Sequence, residues 1–184
     1  MLKHKIIIFP TDTVYGLGCS IYDKESLKTI YNIKQRDFNK PISILCSSLE
    51  QIEEIAIIDE KIKKLISYFW PGPLTIIVFS KKKYFDRTNE KKIGIRIPNH
   101  PLALEILKIK GPLKTTSVNK SGEPPLNNYL EIIKQFKHKV DYIYPNNPIP
   151  TINLSSTVID ATLFNLTLVR EGCISFAKIN KIIN

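Results

Sequence analysis

No apolar run in the 184-residue sequence approaches the roughly 20 residues needed to cross a bilayer, so no membrane partner is expected. Near the N-terminus only residues 6–9 are apolar before Pro10 and Asp12, which is too short for the core of an export signal. Cysteine is scarce. Cys19, Cys46 and Cys173 lie far apart without a CxxC pair, which argues against a disulfide framework or a zinc site and predicts a reducing, cytoplasmic setting. His4, His100 and His138 neighbour no Ser or Cys in a nucleophile motif, and no carboxylates cluster at metal-ligand spacing, so the expected set of protein metal ligands is empty. Neither a GxxxxGK[ST] phosphate loop nor a GxGxxG turn is present. An enzyme with this sequence works without a recognisable protein nucleophile.

Arginine is the scarcest cation. Of 27 basic residues only Arg36, Arg87, Arg96 and Arg170 are Arg, set against 17 acidic residues and a net charge of +10. Lys, Ile and Asn dominate the composition, a bias that resembles AT-rich genomic drift and explains much of the charge as solvated surface lysine. A net positive charge on its own argues only for polyanion binding. Arg supplies a rigid bidentate fork for carboxylate or phosphate that Lys cannot reproduce. Where a Lys-rich chain retains Arg, that fork is expected to matter, which marks Arg36, Arg96 and Arg170.

At 43% hydrophobic residues the chain can bury a core. Residues 6–9 read as a short buried strand stopped by Pro10, and 11–20 (TDTVYGLGCS) as a polar, Gly-containing loop. Asp23 is placed to cap a helix with Leu27, Ile30 and Tyr31 on its apolar face, ending near 34–36. Residues 42–46 read as a strand, followed by a short helix after Ser48 and a second after Asp59 that Trp70-Pro71-Gly72-Pro73 terminates. Strands are expected at 74–79 and 93–97, separated by an exposed Lys/Arg-rich loop at 81–92. Pro101 suits the first turn of a helix. Beyond it the reading is strand 113–116, helix 129–136, strand 142–144, irregular chain 144–153, a hairpin of 157–160 with 166–170, and a last helix within 174–183. No repeat or linker divides the chain. Residues 1–184 are therefore expected to form one α/β domain with a twisted mixed sheet flanked by helices.

Chemistry is expected in polar loops at strand ends, where α/β sheets gather ligands. These are 10–18, 34–36, 115–122, and 155–158 with 170–172. Taken singly, each has a bland explanation: an Asx or Thr turn, cations at a helix C-terminus, a turn that sets the backbone path. Their co-occurrence is the signal.

In this order the segments resemble the YrdC-like threonylcarbamoyl-AMP synthase family, in its short single-domain form. The motifs are PTDTVYGLG (10–18), KQR (34–36), WPGPLT (70–75), IGIRIPNHP (93–101), TSVNKSG (116–122), SSTVID (155–160) and LVREG (168–172). The resemblance implies a YrdC-like domain with a mostly parallel twisted sheet and a basic concave cleft. It also implies a nucleotidyltransferase that makes threonylcarbamoyl-AMP and pyrophosphate from L-threonine, bicarbonate and ATP. Mg²⁺ accompanies the ATP, and downstream tRNA threonylcarbamoyl transferase proteins pass the group to position 37 of tRNAs that decode ANN codons. Carried over position by position, Lys34 and Arg36 face the phosphates as charge stabilisers. Thr11, Thr13, Tyr15, Arg96 and Ser156 form the threonine and carbamate pocket. Thr115, Ser117, Asn119 and Arg170, with Lys34 and Arg36, hold ATP. The chain departs from the family pattern at Asp37 and Glu171, where Pro is common, and at Val118 in place of a small Ala. The attacking group in such a reaction is the substrate's own carbamate, which accounts for the missing nucleophile. The alternative is a non-catalytic module that binds tRNA or double-stranded RNA through the basic cleft. It lacks an aromatic RNP-like motif, although weak RNA affinity is compatible with synthesis.

Overall fold

The structure, a computed structural model, describes residues 5–145 and 154–183. The elements run β1 (Ile7–Phe9), β2 (Gly16–Ser20), α1 (Lys24–Lys34), β3 (Ser43–Leu45), α2 (Leu49–Glu53), α3 (Glu60–Phe69), β4 (Leu74–Phe79) and α4 (Lys82–Thr88). They continue with β5 (Lys92–Arg96), α5 (Pro101–Lys110), β6 (Leu113–Ser117), α6 (Tyr129–Phe136), β7 (Tyr142–Ile143), β8 (Thr157–Asp160), β9 (Thr167–Arg170) and α7 (Phe176–Ile183). The expected irregular stretch at 144–153 lies mostly outside the described residues, as does His4.

Local chemistry sets most boundaries. The Asp23 carboxylate accepts the Ser26 amide at 3.0 Å to start α1, and Asp59 accepts Ile62 at 2.8 Å to start α3. Gln35, left-handed at φ 51°, ends α1. Pro101 opens α5.

All nine strands among the described residues join one sheet in the order β7-β1-β2-β6-β3-β5-β4-β8-β9. The expected mixed sheet is present, with one correction: antiparallel pairs prevail. β1–β2, β2–β6, β3–β6, β4–β5 and β8–β9 run antiparallel, against parallel β1–β7, β3–β5 and β4–β8. Short connections such as the one between β1 and β2 permit antiparallel pairing, whereas parallel neighbours need long crossovers.

Two segments read as loops are ordered elements. Residues 16–20 form β2, because Leu17 and Cys19 bury on one face while Gly16 and Gly18 leave room on the other for the Thr115 side chain of the paired strand β6. A Cβ on Gly18 would lie 2.9 Å from both the Lys114 carbonyl oxygen and Thr115 Oγ1. Residues 82–88 form α4, anchored by fully buried Tyr84, whose hydroxyl donates to Glu90 at 2.6 Å. Lysines on its outer side hid that anchor in the sequence.

Strand alternation divides the sheet into two unlike faces. One face is apolar: Ile8, Leu17 and Cys19 pack with Ile30 of α1 and Ile132 and Phe136 of α6, while Ile44, Ile76, Ile95 and Ile159 pack with Leu65 of α3 and Ile179 of α7. On the other face Ile7, Phe9, Leu45 and Leu113 pack against Ala103, Ile106 and Leu107 of α5. The register continues that second face through Gly18, Thr115, Ser43, Gly94, Thr75, Arg96 and Arg170. It is a floor of small and polar side chains.

Substituting Gly18→Ala forces a methyl into that contact. It is expected to lower the unfolding free energy by about 1–3 kcal/mol, read as a shifted urea midpoint at unchanged slope. An unshifted midpoint would show that the β2–β6 contact tolerates a side chain.

Candidate functional site

The loop that leaves β1 crosses the polar face and is held there by one buried cation. Arg96, at the end of β5, is 5% exposed. Its Nε donates to the Gly72 carbonyl at 2.9 Å, its Nη1 to Thr13 Oγ1 at 3.0 Å, and its Nη2 to Asp12 Oδ1. Thr13 Oγ1 lies 3.1 Å from Thr11 Oγ1, which donates to the Val14 carbonyl at 2.6 Å. PTDTV is thus a compact knot whose hydroxyls and carboxylate organise around the guanidinium. Burial pulls the Arg96 ionisation down and Asp12 opposes it. The Asp12 carboxylate and the two neutral acceptors favour the charged guanidinium.

Beside it lies a second cluster. Thr75 Oγ1 and Ser156 Oγ are 2.9 Å apart across the β4–β8 pair. Arg170 donates through Nε and Nη2 to the Ser156 carbonyl at 3.2 and 2.7 Å, and Nη2 lies 3.3 Å from Ser156 Oγ. Burial lowers the Arg170 ionisation, and the positive charge of Arg36 lowers it further. Arg170 in turn acts on Arg96. The three arginines singled out in the sequence therefore share one electrostatic environment. Arg36 is half-buried, tied through Nε to the Lys40 carbonyl and through Nη2 to the Pro41 carbonyl, both at 3.0 Å.

Lys34 is turned inward instead of toward an open cleft. Its side chain is buried, and Nζ donates to the Ser117 carbonyl at 2.5 Å, the Asn119 carbonyl at 2.9 Å and Asn119 Oδ1 at 2.8 Å. Its three protons are all engaged, so the ammonium fastens the end of α1 to the loop after β6. Ser117 Oγ donates to the same Asn119 Oδ1 at 2.6 Å. Burial, with a smaller contribution from Arg36, pulls Lys34 down to about 8.

Two other expected residues also lie inside the fold. Thr115 is buried against Gly16 and Gly18, and its hydroxyl donates to the Leu113 carbonyl at 3.2 Å. Tyr15 is fully buried in the apolar cluster of α1 and α6, and its amide donates to Asn127 Oδ1 at 3.1 Å. Burial raises its phenol to about 12, so it is neutral. Positions not singled out in the sequence do join the site: Asp12, Gly72 and Thr75 through direct bonds, and half-buried Cys173 through its electrostatic coupling to Arg96 and Arg170. Asp12 was legible as the one acid in a hydroxyl-rich loop. Gly72 was not, because it acts through a carbonyl.

Among the described residues no group of three or more His, Cys, Asp and Glu could hold a metal ion, and no helix is long and apolar enough to cross a membrane.

A family model for Sua5, YciO and YrdC proteins, described as telomere recombination, matches residues 1–172. A Methanocaldococcus jannaschii protein is 37% identical over 179 residues, which cover 97% of this chain and 85% of that protein. The threonylcarbamoyl-AMP synthase of Pyrococcus abyssi is 33% identical over 184 residues, 97% of this chain but 54% of the relative, so the chain spans about half that protein's length. The crystal structure of P. abyssi Sua5 complexed with L-threonine superposes with a TM-score of 0.88 at 32% identity, covering 97% of this chain and 54% of that one. Escherichia coli YciO superposes at 0.83 with 28% identity, covering 94% of this chain and 85% of its own.

Two outcomes follow from the geometry. Asp12→Ala strips a buried guanidinium of its counter-ion and is expected to cost about 3–5 kcal/mol of stability in urea unfolding, where a loss below about 1 kcal/mol would contradict the buried pair. Lys34 is expected to titrate near pH 8 in lysine-labelled ¹³C NMR, well below the surface lysines, and a midpoint at its ordinary 10.5 would contradict its burial. The sign of the linked stability is fixed. From about pH 8 to 10.5 the unfolded chain holds the extra proton, so this group's contribution to stability rises with pH across that window.

Proposed function

Because the chain belongs to the Sua5/YciO/YrdC family, we propose that it catalyses the formation of threonylcarbamoyl-AMP and pyrophosphate from L-threonine, bicarbonate and ATP, in service of tRNA modification. The observation that carries the reading is the convergence of Arg96 and Arg170 with the Thr11–Thr13 knot and Ser156 on one polar sheet face, with the positive charge of Arg36 near enough to act on Arg170. Its support from outside this chain is the P. abyssi relative, which bears the synthase name and was crystallised with L-threonine.

In this reading Arg96 is held by three protein acceptors, and its two further N–H donors meet the threonine carboxylate. Thr13 and Ser156 border the carbamate. The carbamate oxygen attacks the α-phosphorus as the bond to the departing pyrophosphate breaks, so no side chain need act as nucleophile. The protein's work is alignment and charge neutralisation. Arg36 and Arg170 lie at the open side and receive the phosphates; among the described residues Arg170 Nη1 has no protein partner. Lys34 supports this step indirectly, by holding Ser117 and Asn119 in place for the nucleotide. This revises the direct phosphate contact expected for it.

Mg²⁺ enters with ATP as part of the substrate, bound by phosphate oxygens and water. Among the described residues the site's acid, Asp12, is tied to Arg96, and no group of three His, Cys, Asp or Glu offers a protein cage. The synthase reading is better supported than the RNA-binding alternative, since the relatives bear an enzyme's name. Tight structure-selective RNA binding without adenylation would reverse that order.

Pure protein is expected to release pyrophosphate only when ATP, threonine and bicarbonate are all present, with threonylcarbamoyl-AMP identified by mass. Release without threonine would count against the proposal. Arg36→Ala is expected to lower kcat/KM for ATP about 10- to 100-fold, the loss of one or two charge-assisted phosphate contacts, while the threonine affinity changes little.

A further inference from the structure

Among the described residues two lysines are almost wholly buried, Lys34 and Lys114. Lys34 fastens α1 to the loop after β6. Lys114 has no part in the site as described above. Its cross-strand neighbours are Cys19 and Ile44, which belong to different apolar clusters, so the side chain enters the seam between them. Burial there pulls the Lys114 ionisation down, and Glu90 opposes it. A methionine of similar length would fill the seam without the cost of desolvating a charge, and a buried ion pair is often no more stabilising than well-packed apolar side chains. The ammonium therefore calls for an account other than stability.

Its contacts supply one. Lys114 Nζ donates to Glu90 Oε1 and Oε2, both at 2.6 Å, and to the Ile42 carbonyl at 3.3 Å. Glu90 is fixed in turn, since its Oε2 accepts the Tyr84 hydroxyl and its backbone carbonyl accepts Ser80 Oγ, both at 2.6 Å. Tyr84 is the buried anchor of α4. A chain of bonds thus runs from α4 through Glu90 and Lys114 to Ile42, the first buried residue after the exposed stretch 37–41. The two carbonyls just before it hold the Arg36 guanidinium: that of Lys40 accepts Nε and that of Pro41 accepts Nη2, both at 3.0 Å. The Tyr31 hydroxyl also donates to the Lys40 carbonyl, at 2.9 Å. Three consecutive carbonyls therefore each receive a side-chain donor. Because the peptide unit between Pro41 and Ile42 is planar, fixing one end restrains the other.

We propose that Lys114 is a positioning residue for Arg36: gripped by Glu90, its ammonium anchors the Ile42 carbonyl and so fixes the Lys40 and Pro41 carbonyls that aim the guanidinium. In this role α4, whose lysines give it the composition of a loop, serves the site through Tyr84. The consequence for ATP rests on the function proposed above. The anchoring of Arg36 does not.

Lys114→Met combined with Glu90→Gln removes both charges and leaves neither buried alone. The double variant is expected to fold and to lower kcat/KM for ATP about 10-fold, with threonine affinity little changed. In an Arg36→Ala background the same two substitutions are expected to cost no further kcat/KM, because residues that act through one another are not additive. Independently of ligand, the ¹⁵N-detected Nε–H resonance of Arg36, assigned by its disappearance in Arg36→Lys, is expected to shift and to exchange faster with water in the double variant. In Tyr84→Phe it is expected to shift in the same direction by less. An unchanged kcat/KM, a comparable loss in both backgrounds, or an Nε–H unmoved in the double variant would overturn the assignment; should that variant not fold, an Nε–H unmoved in Tyr84→Phe would do so. A wild-type protein that consumes no ATP would refute the synthase reading, and the Arg36 resonance would still decide the role of Lys114.

Discussion

The ion pair between Asp12 and Arg96 is the interaction on which the site depends. Removing both charges from water is costly, and their attraction repays it only when the remaining donors and acceptors are also matched. Arg96 meets that condition with Gly72 and Thr13 as further acceptors, each from a different part of the chain. One side chain therefore joins the loop after β1, the turn before β4 and the end of β5. A compact ammonium at this position could not reach three acceptors in one plane, which is a physical reason for arginine in a chain otherwise rich in lysine.

That pair works because the sheet presents a face for it. Helices α1, α3, α6 and α7 cover the apolar face, while α5 alone packs on the other. The rest of that face carries Gly16, Gly18, Gly94, Ser43, Thr75 and Thr115, whose small side chains let neighbouring groups approach closely. Here the glycines serve close approach and not a turn, as the 2.9 Å contacts of a Cβ at Gly18 indicate. Lys34 performs the matching task from beneath. It reaches through from α1 to bind the loop after β6, so both loops that border the floor are pinned by buried cations.

Much of this was legible in the sequence, for reasons that differ by element. Asp23, Asp59 and Pro101 announced their helices, because capping is a local interaction between neighbours in the chain. The hairpin at 157–170 followed from its alternation and turn. Strand β2 was misread because TDTVYGLGCS has the composition of a loop, and its pairing with β6 is decided by residues a hundred positions away. Helix α4 was misread because its lysines outnumber its single buried anchor, Tyr84. Among candidate site residues, the retained Arg96 and Arg170 both lie on the polar face of the sheet. What they do there was not legible. Lys34 and Arg96 looked like free ligands, and only the folded chain reveals that carbonyls and Asp12 engage them first.

Calorimetric titration of L-threonine into Arg96→Lys, beside the wild-type protein, decides whether the planar fork itself recognises substrate. The substitution keeps a positive charge near Asp12 but removes the planar fork. If the fork does so, the variant is expected to fold and its threonine affinity to fall at least about 10-fold, roughly the loss of one charge-assisted hydrogen bond. Undiminished threonine binding by Arg96→Lys would contradict that role, because charge alone would then suffice and the geometry around Asp12, Thr13 and Gly72 would have no part in recognition.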